Sequence, residues 1–97
     1  MSAPEQPGGG GRLVGEVRAG RGGAMTDEVG VVTGDLTVAT TVQAADGLAA
    51  VTLQYTGAEE WYTLTGSPVD VPAEGLQHLH DTVLDKIRGG GGARAPR

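Results

Sequence analysis

Hydrophobic and polar positions alternate in three successive stretches of the chain. In "LTVATTVQ" (36–43), Leu36, Val38 and Val42 fall on one face and Thr37, Ala39, Thr41 and Gln43 on the other, the period of two expected of a half-buried strand. "LAAVTLQYT" (48–56) repeats the pattern with Ala49, Val51, Leu53 and Tyr55 together, and "WYTLTG" (61–66) does so with Tyr62 and Leu64. Asp46-Gly47 marks a hairpin between the first two, because glycine reaches the positive φ of a tight turn. "GAEE" (57–60) turns the chain into the third. An earlier run, "VGVVT" (29–33), is followed by Gly34-Asp35 and predicts one more strand joined by a hairpin.

Beyond "GSPVDV" the period lengthens. Leu76, Leu79, Val83, Leu84 and Ile87 recur at helical spacing and form one apolar stripe. The pattern predicts a helix over 72–88, with Pro72 at its first position, where a missing N–H costs nothing. Glu74 in the first turn and Lys86 and Arg88 in the last suit the helix dipole, and Gly89 ends it. The predicted fold class is α+β. An antiparallel three- or four-stranded β-meander is followed by one C-terminal amphipathic helix packed on one face of the sheet (βββα or ββββα).

The phase of the strands has a further consequence. With Tyr62 and Leu64 inward, the outer face carries Thr37, Thr41, Thr52, Thr56, Thr63 and Thr65, together with Trp61. Two readings fit: a solvated face in which threonine supplies β-propensity, or a contact face anchored by Trp61. A slip of one residue would bury Trp61 instead.

Composition sets the outer limits. Gly, Ala, Arg and Pro supply 41 of the 97 residues, and Phe, Tyr, Met, Ile, Asn and Lys only 6, a codon bias that points to a high-GC, bacterial genome. At this length one domain is expected. Glycine is concentrated in residues 1–24 and in "GGGGARAPR", segments with little to bury and much backbone entropy to lose. The expected organisation is a disordered Gly/Pro/Arg-rich extension over 1–24, a small domain over 25–88 and a disordered tail over 89–97. "MTDEV" at Met25 reads like a natural start, which would make residues 1–24 an upstream extension; "RLVGEV" (12–17) argues the other way, since it can pair weakly as a strand.

Charge follows the same boundaries. Residues 25–88 hold ten acids against Lys86 and Arg88, a net of −8, while the flanks are +1 and +2, which sums to the chain's −5. An acidic core repels phosphate backbones, so nucleic acid is an unfavoured partner. The arginines of the flanks (Arg12, Arg18, Arg21, Arg94 and Arg97) come without interleaved aromatics and read as flexible tails rather than nucleic-acid-binding arms. No apolar run approaches the ~20 residues of a membrane span, and the N-terminal stretch has no apolar segment of the secretory kind. The expected address is the cytoplasm.

Candidate chemistry is sparse. With no cysteine there is no disulfide or thiolate. Ser2 and Ser67 are the only serines, and neither lies in a nucleophile-elbow pattern. The glycine runs lack the lysine of a phosphate loop. Glu59 and Glu60 are adjacent in a turn, which aims their carboxylates apart. "HLHD" (78–81) looks like a metal or catalytic cluster, but at about 100° per residue His78 and His80 project from opposite sides of the helix. His80 then sits at the edge of the apolar stripe as a packed or interfacial residue, and His78 lies on the charged side. No cofactor or metal is expected.

These features suggest a small acidic, non-catalytic protein–protein interaction module, expected to be a homodimer. A core of roughly 60 residues buries only about 60% of its chain surface, and association would help to cover its exposed strand edges. The expected interface residues are Trp61, Thr37, Thr41, Thr52, Thr63 and His80. A single-strand nucleic-acid binder using an aromatic sheet face is the alternative, since a meander followed by a helix resembles, in topology alone, the repeat unit of PUR-type and Whirly-type proteins. An antitoxin- or inhibitor-like partner of a basic protein is the other.

Overall fold

The computed structural model describes residues 11–96. Its elements are β1 (Arg12–Arg18), β2 (Ala24–Thr26), β3 (Gly30–Val32), β4 (Asp35–Val42), β5 (Ala49–Tyr55), β6 (Tyr62–Thr63) and α1 (Leu76–Gly89). An antiparallel sheet of order β1-β4-β5-β6 is followed by one C-terminal helix packed on it, and β2 and β3 form a second, two-stranded sheet. The α+β expectation holds, with four strands in the main sheet.

The fourth strand is not the one the pattern suggested. Gly30–Val32 pairs with Ala24–Thr26 rather than with β4, and no hairpin joins β3 to β4. Gly34, at φ 85°, swings the chain out of the small sheet, and its carbonyl accepts the Ala19 amide at the end of β1. Strand β1 takes the vacant flank of β4, with an unbroken register from Arg12↔Thr41 to Arg18↔Asp35. A chain begun at Met25 would lack it. The Asp46-Gly47 hairpin between β4 and β5 forms as expected, with Gly47 at φ 73°.

The helix begins four residues later than its pattern suggested. Gly75 has φ 103°, outside helical geometry, and its amide closes a turn onto the Pro72 carbonyl, so helical hydrogen bonding starts only with the Gly75 carbonyl, which accepts the Leu79 amide. Glu74 therefore lies outside the first turn, which contains no acid, while Lys86 and Arg88 occupy the last turn as expected. The C-cap is Gly90 rather than Gly89.

The core is built from short aliphatics. Leu36, Val38, Val51 and Leu53 from the sheet meet Leu79, Val83 and Ile87 from α1, with Leu64 and Val32 beside them. Leu36, Leu53, Leu64 and Ile87 are fully buried, each contributing about 1.5–3 kcal/mol relative to exposure. With no phenylalanine in the chain, leucine, isoleucine, valine and alanine make up the interior.

Both glycine-rich flanks depart from the expected disorder. Residues 20–23 and 90–93 lie backbone against backbone: Gly20 N–H bonds the Ile87 carbonyl (3.0 Å), Gly91 N–H that of Arg21 (2.7 Å) and Ala93 N–H that of Gly23 (2.9 Å). A Cβ on Gly20 would come within 2.3 Å of the Arg88 carbonyl oxygen, and one on Gly90 within 2.1 Å of that of Arg21. Only glycine permits this approach. Ala93 and Ala95 are buried in the core cluster, so the ordered fold extends from 11 to 96. The rest of the expected disorder, residues 1–10 and 97, lies outside the described residues.

Candidate functional site

The two edges of the main sheet differ in their backbone chemistry. Val42 N–H bonds the Gly11 carbonyl and Ala19 N–H bonds that of Gly34. In an antiparallel ladder bonded pairs alternate, so Leu13, Gly15 and Val17 direct their amides and carbonyls at β4. Those of Arg12, Val14, Glu16 and Arg18 point away from the sheet. Among the described residues they have no backbone hydrogen-bond partner. The seven-residue strand has no bulge and no proline, two of the usual guards of a free edge, and carries only a third, charge, in Arg12, Glu16 and Arg18.

The β6 edge is closed. Thr63 N–H donates to Glu28 Oε1 at 2.7 Å, and the Thr63 carbonyl accepts the Asp27 amide at 3.0 Å. Thr65 N–H bonds the Met25 carbonyl, and the Thr65 carbonyl accepts the Ala95 amide, each at 2.9 Å. The hydroxyls of Thr63 and Thr65 donate to Glu28 and Asp27 at 2.7 and 2.8 Å. The Thr63 hydroxyl and amide hold the Glu28 carboxyl below its ordinary range, against a smaller opposing effect of desolvation.

The outer face gathers Trp61, Thr37, Thr41, Thr52 and Thr63, as the strand phase predicts. Trp61 is 39% exposed there, so the alternative register that would bury it is not adopted. The Arg12 guanidinium lies 5.4 Å from the Trp61 ring centroid and its Nη1 donates to Thr41 at 3.3 Å. Arg12 comes from one edge strand and Trp61 directly precedes the other, so this contact crosses the full width of the sheet. Ala39, small and fully buried on this side, lies between Val14 and Thr52 in the register. Part of the Trp61 surface is thus used within the fold.

The aromatics do not share a platform. Tyr55 and Tyr62 have the opposite strand phase from Trp61 and pack edge to face, with centroids 6.5 Å apart. His80 is likewise separated from the residues grouped with it: it is only 4% exposed and faces the inner side of the sheet. Its Nδ1 lies 2.9 Å from Thr40 Oγ1, either atom donating according to tautomer. An added Cβ on Gly15 would come within 3.0 Å of Nε2, so the glycine of β1 makes room for the ring. Burial lowers the His80 pKa from 6.5, against a smaller opposing effect of Asp81. His78, two positions earlier, is exposed.

A groove of about 520 Å³ lies at the start of α1, lined by Leu48, Pro68, Val69, Pro72, Leu79 and Pro96, with Asp70, His78 and Thr82 among its polar groups. Three prolines from two separate segments form it, and Pro96 belongs to the expected tail, so local patterning held no sign of it. Among the described residues, no three of His, Asp and Glu cluster in a metal-binding arrangement, and no helix is long and apolar enough to cross a membrane. The residues that sequence reasoning missed are Arg12, Val14 and Glu16, whose alternation with Leu13, Gly15 and Val17 was the available signal. Compared with known families, curated proteins and solved structures, the chain matches none.

Proposed function

We propose that this protein is a non-catalytic protein–protein interaction module that recruits a partner strand to the open edge of β1. The observation carrying this reading is the asymmetry of the sheet. Every Thr63 and Thr65 backbone group on the β6 side is bonded, whereas alternate groups along β1 face outward without a partner among the described residues. A bare edge of this kind is a template for strand addition, in which main-chain hydrogen bonds supply affinity and alternate side chains supply selectivity. Val14, 54% exposed in the middle of that edge, offers an apolar contact.

Val14→Pro tests the reading. The Val14 amide points away from β4, so proline is tolerated in the strand but removes a donor from the free edge. Sedimentation and co-purification from the source cell should show the wild type associating and the variant not. Equal association of both proteins, or a wild type that binds nothing at high micromolar concentration, would overturn it.

A further inference from the structure

We infer that the strand received by β1 is the β1 of a second copy, paired antiparallel about a two-fold axis through Val14. This inference rests on the open-edge reading and adds the partner and the register. The outward-facing backbone groups belong to even-numbered residues, so even residues of the two copies must form the hydrogen-bonded pairs. Of the registers this parity allows, the three that keep five or more residues of the two seven-residue strands paired are centred on Gly15, Glu16 and Val14. Centring on Gly15 sets Arg12 opposite the partner's Arg18. Centring on Glu16 sets two glutamates face to face on the axis. Centring on Val14 sets the two valines together and Arg12 opposite the partner's Glu16 on both sides.

Only the last register places opposite charges in both flanking positions and an apolar residue at the centre. Directly opposed like charges destabilise a sheet pair and opposite charges stabilise it. The side chains concerned are accessible, with Arg12, Val14 and Glu16 exposed on the outer face. Arg12 Nη1 is engaged with Thr41, which leaves other guanidinium donors for the partner's carboxylate. The two-fold also explains how an open edge need not propagate. Among the described residues the main sheet of each copy has one such edge, and pairing the two consumes both, closing the main sheets at two chains. The result is a continuous eight-stranded sheet with the two helices on the same side.

The chain contains no cysteine, so a single introduced thiol reports on one position. In the inferred register Val14→Cys places two thiols in a bonded pair with Cα atoms about 5.5 Å apart, within the range a disulfide spans. Full-length Val14→Cys should cross-link to a dimer under mild oxidation. Arg12→Cys and Glu16→Cys should cross-link when mixed and poorly alone.

Charge reversal supplies the second arm. Arg12→Glu or Glu16→Arg alone should weaken dimerisation by about tenfold, since each change acts twice across the axis. The double reversal should restore it. Circular dichroism confirms that each variant folds. A wild-type dimer whose Val14→Cys form does not cross-link, or whose double reversal does not recover, overturns the register while leaving the open-edge reading intact. A monomer in which no variant cross-links overturns self-pairing, and the Val14→Pro comparison then decides separately whether another partner uses the edge.

Discussion

On the β6 side of the sheet every backbone group of Thr63 and Thr65 is bonded, through Glu28, Asp27, Met25 and Ala95. On the β1 side the amides and carbonyls of four alternate residues have no backbone partner among the described residues. The first edge is closed by segments remote in sequence; the second carries Arg12, Glu16 and Arg18, and no described segment covers it. The difference teaches where a small sheet directs its association. A protein with both edges open would polymerise, and one with both closed would have no main-chain contact to offer.

The largest effect that separates the two sides comes from removing one. A chain starting at Met25 loses β1, turns β4 into an edge and strips the flank of Leu36 and Val38. It should fail to fold cooperatively, as thermal unfolding followed by circular dichroism would show. Next is the backbone seam beside the closed side. Gly90→Ala drives a Cβ into the Arg21 carbonyl at a φ of 72°, a loss of about 3 kcal/mol or more in chemical denaturation.

A smaller effect sits beneath the open edge. Thr40→Val leaves the His80 Nδ1 without its partner, at about 1–3 kcal/mol. The same histidine makes stability pH-dependent. Because burial depresses its folded pKa, the unfolded chain takes up the proton first as pH drops below 6.5. Stability is therefore full above that value and declines below it. His80→Gln should flatten this decline between pH 6.5 and 5. Glu28, held low by Thr63, adds a second loss, starting only below its ordinary 4.5. Smallest in stability but most telling for the comparison is Glu28→Lys. It frees the Thr63 amide on the closed edge and should add species larger than a dimer to the sedimentation profile.

Legibility in the sequence followed the range of the interactions. Strands β4 and β5 and the buried residues of α1 were readable because period-two and helical spacing are local signals. The identity of the fourth strand was not, since nothing within 12–18 announces that it lies beside 35–41. The glycine flanks misled for a physical reason: loss of a Cβ serves disorder and close backbone packing equally, and only the facing segment distinguishes them. Trp61 was placed on the correct face by phase, yet its contact with Arg12 spans the sheet and has no sequence trace. Gly75 could have revealed the late helix start, because a glycine three residues after proline is a turn signal as well as a helical position.

Amide hydrogen exchange measured at low and high protein concentration tests the open-edge claim most directly. The amides of Val14 and Glu16 should exchange rapidly in dilute solution and gain protection as concentration rises, while those of Thr63 and Thr65 stay protected throughout. Protection of Val14 and Glu16 that does not change with concentration, or fast exchange at Thr63 and Thr65, would contradict the account.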